Sequence, residues 1–172
     1  LRFNLIMRMV LKNLKDTRKL AQDLAKKWSK KPGPLVIAPY GNLGAGKTTF
    51  VRFFARALGV KEKILSPTFL IIKSFALDTR IHAGRKRIDA DKSRFKFLHH
   101  IDCYRLKSAK ELIALGLKEI LRDKENVVAI EWPEKIKRYL PKTAIQIKFE
   151  IAGEKERKII IKNIETQSSN VK

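Results

Sequence analysis

The sequence predicts an α/β fold in three layers, with helices on a mainly parallel sheet and an antiparallel hairpin at the carboxyl end, spanning residues 1–172 as one domain. Three observations carry that expectation. Residues Gly41-Asn42-Leu43-Gly44-Ala45-Gly46-Lys47-Thr48 fit G-x-x-x-x-G-K-[ST] without a mismatch, the pattern of a phosphate-binding loop. The apolar run Leu35 to Ala38 follows the breakers Pro32-Gly33-Pro34, and Thr49 to Leu58 reads as a helix ending at Gly59, so the loop has the strand before it and the helix after it that its chemistry needs. Further on, Val127-Val128-Ala129-Ile130-Glu131 is a continuous apolar run closed by an acid, as expected of a buried parallel strand with its carboxylate at the ligand-binding edge.

In chain order, Leu1 to Val10 lacks a clean signal-peptide core and cleavage site and reads as a first strand. Asp16 is expected to cap a helix in which Leu20, Leu24 and Trp28 recur every four residues, with Lys26, Lys27, Lys30 and Lys31 complementing the carboxyl end of its dipole. After the phosphate loop, Phe50, Val51, Phe54 and Leu58 give the next helix its buried face. Ser66-Pro67-Thr68-Phe69 reads as a turn into a strand at Leu70-Ile71-Ile72, which places Thr68 where a loop could reach a γ-phosphate.

The stretch 80–96 carries Arg80, Arg85, Lys86, Arg87, Lys92, Arg94 and Lys96 against Asp89 and Asp91, and reads as a hairpin or loop that is either simply solvated or meets RNA phosphates. Phe95, Phe97, Leu98 and Ile101 indicate a strand into Asp102, on which His100 and Asp102 share a face. Ser108-Ala109-Lys110-Glu111 is a capping-box signature, predicting a helix to a break near Gly116 and a second short helical piece beyond it. Ile145, Ile147, Phe149 and Ile151 alternate with Gln146, Lys148 and Glu150, predicting a half-exposed antiparallel strand, with Lys158 to Ile164 returning as its partner. The polar tail from Glu165 to Lys172 reads as disordered.

Composition bounds the partners. The chain has 172 residues, 44% hydrophobic and 33% charged, enough apolar material for a core. Lys and Arg number 39 against 17 Asp and Glu, a net charge of +22, which suits either a polyanionic partner or a solvated lysine surface. The single cysteine, Cys103, forms no internal disulfide and reads as a packing residue, which fits a reducing cytoplasm. No apolar run approaches the ~18 residues of a membrane span.

In the loop, glycines let backbone N–H groups turn inward around phosphate oxygens, Lys47 brings a cation to the outer phosphates, and the Thr48 hydroxyl can ligate Mg²⁺. Such a site also needs an acid to hold the metal or to orient water. Glu131 and Asp102 are both candidates, each at a strand end. His100 reads as a hydrogen-bonded structural residue rather than a ligand, since a metal site would need more His or Cys than the chain offers. Trp132 is either core filler or a ring that stacks on a base or flanks the phosphates.

Taken with Thr49-Phe50 after the loop, the blocks Ser66-Pro67-Thr68-Phe69, His100-Ile101-Asp102-Cys103-Tyr104-Arg105-Leu106, the spaced Glu111, Gly116 and Glu119, and Ile130-Glu131-Trp132-Pro133-Glu134 resemble the bacterial TsaE (YjeE) family, in the family's order and over about residues 15–160. The resemblance implies a P-loop NTPase domain and a small Mg²⁺-dependent ATPase. It would support formation of N6-threonylcarbamoyladenosine at position 37 of tRNA, acting with TsaD and TsaB homologues, the transfer chemistry belonging to TsaD. It implies that Gly41, Asn42, Leu43, Gly44, Ala45, Gly46, Lys47, Thr48 and Thr49 hold the phosphates of ATP, that Thr48 holds Mg²⁺, that Ser66 and Thr68 form a switch loop, that Asp102 and Glu131 arrange metal and water, and that Trp132 stands beside the nucleotide. Contact with tRNA is expected through the complex, with direct contact through 80–96 as an alternative. Two departures stand out: Asn42 occupies a position where the family often has Asp, and the spacing from Phe69 to His100 is long, so that the basic stretch reads as an insertion. The rival readings are a small-molecule or nucleoside kinase on the same fold, and an RNA-binding module switched by nucleotide.

Overall fold

The computed structural model describes residues 6–30, 32–64, 71–77 and 95–162. The expectations for Ser66, Thr68, most of the basic stretch 80–96 and the tail 165–172 lie outside the described residues.

Strand β1 (Met7–Leu11) leads into helix α1 (Leu14–Trp28), which buries Leu20, Leu24 and Trp28 as their spacing predicts. The expected cap is corrected: Asn13, not Asp16, caps α1. The Asn13 side chain accepts from the backbone N–H groups of Lys15 at 2.8 Å and Asp16 at 3.1 Å, while the Asp16 carboxylate reaches back to the N–H of Lys12 at 2.8 Å. Both residue types accept well from free N–H groups, and the reciprocal arrangement puts the acid in the first turn rather than at the cap.

Strand β2 (Leu35–Tyr40) carries the phosphate loop into helix α2 (Lys47–Ala57). That helix stops at Gly59, where the N–H of Val60 bonds Ala55 O at 3.0 Å and the N–H of Gly59 bonds Arg56 O at 3.1 Å. Strands β3 (Ile72–Ala76) and β4 (Phe97–Asp102) are antiparallel neighbours. Two short helices follow, α3 (Ala109–Ala114), which starts on the predicted capping box of Ser108 and Glu111, and α4 (Leu117–Arg122). Strand β5 (Asn126–Glu131) is buried along its whole length. Pro133–Tyr139 turns in 3₁₀ fashion with a kink at Ile136, and strands β6 (Ile145–Ile151) and β7 (Arg157–Lys162) close the described chain as a hairpin.

The described strands form one sheet of order β1-β7-β6-β2-β5-β4-β3. The four central strands, β6, β2, β5 and β4, are mutually parallel, and the antiparallel pairs lie toward the edges. The expected antiparallel hairpin is formed by β6 and β7, while on its other side β6 pairs parallel with β2. Its alternation is as read, with Ile145, Ile147 and Phe149 buried and Lys148 exposed, but alternation reports which faces of a strand are wet and says nothing of how its neighbours run.

Alternate residues of the central strands enter opposite cores. Leu35 and Ile37 of β2 join Val127 and Ala129 of β5 against Trp28, Phe50 and Phe54 from α1 and α2. Val36, Val128 and Ile130 face the other way, onto Leu112, Leu117 and Ile136. Phe54 sits 5.8 Å from Trp28 and 5.9 Å from Phe50, whose ring in turn lies 5.6 Å from Phe149 of β6. Burying each such ring contributes about 1.5–3 kcal/mol, so this cluster fixes α2, and with it the phosphate loop, on the sheet.

Candidate phosphate-loop site

The loop between β2 and α2 is shaped by two glycines. At Gly41 the backbone has φ 134° and an added Cβ would lie 2.3 Å from the carbonyl oxygen of Phe149, so any side chain would collide with strand β6. Gly46, at φ 102°, is the left-handed residue from which α2 starts, and no side chain caps that helix. The first N–H groups of α2 are thereby left facing the loop, with the positive end of the helix dipole behind them.

Lys47 folds back across the loop. Its ammonium donates to the carbonyl oxygens of Gly41 at 2.6 Å and Asn42 at 2.9 Å, and only 5% of the residue is exposed. Burial pushes its pKa below the usual lysine value, against the opposing pull of the Glu131, Glu134 and Asp102 carboxylates. The same ammonium lies 4.0 Å from the centroid of the Trp132 ring. Trp132 has φ 55°, the one described non-glycine residue with a positive φ, a conformation that costs about 1–2 kcal/mol. The sharp turn after β5 sets the half-buried indole between Lys47 and Tyr104, whose ring is 5.0 Å away. Trp132 therefore does both things its two readings allow for: its ring stands beside the loop cation and packs against the core formed by Val128, Ile130 and Ile136.

The Thr48 hydroxyl donates to Glu131 Oε2 at 2.8 Å. The other carboxylate oxygen, Oε1, lies 2.8 Å from His100 Nε2, and both residues are fully enclosed, Glu131 at 1% and His100 at 0% exposed. Asp102 is the register partner of Glu131 on the neighbouring strand, half-buried, with Oδ1 accepting the N–H of Tyr104 at 2.9 Å. Since side chains alternate along β4 and β5, His100, Asp102 and Glu131 all project toward α2. The sequence-predicted residues Gly41 to Thr49, Asp102, Glu131 and Trp132 thus meet at the carboxyl ends of β2, β4 and β5. Cys103 turns to the opposite core, where burial, with the Asp102 charge adding to it, pushes its thiol pKa up to about 12, in keeping with a packing role.

Among the described residues no cluster of three or more His, Cys, Asp or Glu could by itself hold a metal ion. A hydroxyl and carboxylates at the mouth of a phosphate loop are nevertheless a donor set that suits Mg²⁺, which draws its remaining oxygens from phosphates and water.

One feature beside the loop escaped the sequence reading. A cavity of about 560 Å³ opens on the other flank of the loop, where Asn13, Leu14 and Thr17 of α1 face Gly44, Thr49 and Phe149. Arg157 of β7 also lines it; its guanidinium donates to Glu156 O at 2.8 Å and Gly153 O at 3.1 Å and reaches Gly44 O at 3.3 Å. No motif marks Asn13, Leu14, Thr17, Phe149 or Arg157, which come from both ends of the chain and are brought beside the loop only by the sheet order.

No described helix is long and apolar enough to cross a membrane. Compared with known proteins, residues 11–159 match the family model "Threonylcarbamoyl adenosine biosynthesis protein TsaE". The chain is 35% identical over 162 residues to the tRNA threonylcarbamoyladenosine biosynthesis protein TsaE of Rickettsia felis, covering 94% of this chain and 82% of that protein. It is 36% identical to the protein of the same name from Bacillus subtilis over 75% of this chain and 69% of the relative, and 33% identical to that of Aquifex aeolicus over 91% and 96%. The crystal structure of Bacillus subtilis YdiB superposes with a TM-score of 0.64 at 27% identity, covering 95% of this chain and 89% of that one. The match runs from the end of β1 into β7 and so takes in the loop, Asp102 and the Glu131–Trp132 corner together: the chain belongs to the TsaE family.

Proposed function

We propose that this chain is a Mg²⁺-dependent ATPase that acts in the cytoplasm as one domain, with TsaD and TsaB homologues, in forming N6-threonylcarbamoyladenosine on tRNA. The observation that carries the reading is the hydrogen bond from Thr48 to Glu131, which ties the hydroxyl of the phosphate loop to a carboxylate on β5 beside a buried, loop-bound Lys47. The family relationship supports the tRNA-modifying role.

In this reading the uncapped N–H groups of α2 and the Lys47 ammonium bind the phosphates, and Lys47 offsets the charge that develops on the leaving phosphate. Mg²⁺, when bound, would neutralise the phosphate oxygens, with Thr48, Glu131 and Asp102 as the groups that hold it. Glu131, enclosed and accepting at both oxygens, orients the attacking water, and Asp102 does the same from the more open side. Trp132 closes the loop flank and keeps bulk water from Lys47. The nucleoside end enters the cavity of Asn13, Leu14, Thr17, Phe149 and Arg157. The Ser66 and Thr68 stretch supplies the switch, and the basic stretch 80–96 offers phosphates of tRNA a further contact.

The test is hydrolysis of ATP by the purified chain with Mg²⁺, alone and with a matched TsaD and TsaB pair, while threonylcarbamoyladenosine on tRNA is measured. Hydrolysis stimulated by the pair, together with repeated rounds of modification, is the expected result. ATP binding that the pair leaves unchanged would overturn the assembly part of the reading, and phosphate transfer to an added acceptor instead of water would replace hydrolysis with kinase chemistry.

A further inference from the structure

His100 has a geometry that the roles above do not require. The ring is completely enclosed on β4, with Nε2 2.8 Å from Glu131 Oε1. Its other nitrogen, Nδ1, is buried with no hydrogen-bond partner among the described residues. A carboxylate can only accept, so Nε2 must donate; a proton on Nδ1 would be a buried N–H without an acceptor, a heavier cost than a bare lone pair. The geometry therefore assigns the proton to Nε2, aimed at one oxygen of Glu131.

The sheet fixes this contact. His100 lies opposite Ala129 and Asp102 opposite Glu131, so His100 and Glu131 are diagonal neighbours on the same face of parallel strands. With Oε1 held by His100, Oε2 is the oxygen left for the Thr48 hydroxyl. We propose that His100 is a positioning residue: its Nε2–H locks the one carboxylate orientation in which Glu131 meets the phosphate loop. This rests on the proposed ATP hydrolysis at the same site. Groups that hold a catalytic carboxylate from behind typically matter by about 10–100-fold in activity. A histidine that merely filled space would be replaceable by any side chain of fitting volume.

Two substitutions separate these cases. His100→Leu keeps apolar volume and removes the donor, whereas His100→Gln can place an amide N–H near the position of Nε2. The expected result is a kcat for Mg²⁺-ATP hydrolysis lowered roughly 10–100-fold by His100→Leu at unchanged nucleotide affinity, most of it restored in His100→Gln, and no further loss when His100→Leu is added to Glu131→Gln. Equal kcat for the two His100 variants, or an undiminished effect in the Glu131→Gln background, would overturn the proposal. A readout without turnover covers variants that do not fold and a wild type that does not hydrolyse ATP, the latter being a failure of the ATPase reading alone. In ¹⁵N spectra of the wild-type imidazoles, His100 is expected to carry its proton on Nε2, with that resonance moving on Glu131→Gln. A proton on Nδ1 would show that His100 does not hold Glu131.

Discussion

At Glu131 two hydrogen bonds converge on one enclosed carboxylate, and the consequence is a separation between folding and chemistry. Glutamine has nearly the same shape; it can turn its oxygen to His100 and its amide to Thr48, whose hydroxyl rotates to accept. Glu131→Gln should therefore melt close to wild type and bind nucleotide, yet hydrolyse ATP about 100-fold more slowly or worse, as measured by phosphate release beside a nucleotide titration. Wild-type turnover would remove Glu131 from the reaction. Cys103 gives the opposite sort of prediction, since it is wholly buried and its thiol is pushed up to about 12. Alkylation near neutral pH should be slow in the folded chain and fast after denaturant is added, because the nucleophile is the thiolate and burial withholds it. Rapid labelling of the native protein would contradict the packing role. The residue scale is also where sequence was least able to see. Lys47 and Thr48 are declared by a contiguous motif, and Glu131 by an acid after an apolar run. That His100 faces Glu131, rather than a backbone group, is settled by a diagonal across two strands, and no local pattern encodes strand register.

Elements were legible where one physical signal dominated. The 3.6-residue period of α1 and α2 and the unbroken apolar run of β5 translate into burial almost residue for residue, and Gly59 ends α2 where its backbone freedom suggested. The cap of α1 is ambiguous in the sequence because Asn13 and Asp16 are both good acceptors of free N–H groups, and only where the helix starts decides that Asn13 takes those of Lys15 and Asp16 while Asp16 reaches back to Lys12. Asn13→Ala should accordingly destabilise the chain by about 1 kcal/mol, a fall of roughly 2–4 °C in Tm for a domain of this size, while Asp16→Ala should cost less. If thermal melts put the larger loss on Asp16, the assignment of the cap is wrong. Gly41 is the stricter case at this scale. Its Cβ position is filled by the Phe149 carbonyl of β6, so Gly41→Ala must push the loop off the strand at a cost of about 1–3 kcal/mol, with nucleotide binding lost alongside.

Across the whole molecule, the nucleotide is proposed to touch pieces that the chain order keeps far apart: Asn13 and Thr17 from α1, the loop after β2, Glu131 after β5, and Arg157 on β7. Arg157 already links the hairpin to the loop through Gly44, and Phe149 lies both against Phe50 and on the cavity wall. A ligand in this position binds only the folded arrangement and so stabilises it by mass action, about 2.7 kcal/mol at a concentration of 100 times Kd. The gain should be spread over the sheet rather than confined to the loop, since α1, β2, β5 and the β6–β7 hairpin each contribute contacts. Hydrogen exchange with and without Mg²⁺ and a non-hydrolysable ATP analogue is the measurement. Slower exchange is expected at the N-terminal turn of α1, in the loop and α2, and in the hairpin around Arg157, and all of it should vanish in Lys47→Ala, which removes the cation proposed to meet the phosphates. Protection confined to residues 41–49 would mean that the nucleoside end lies outside the cavity, and that the two flanks of the loop act separately.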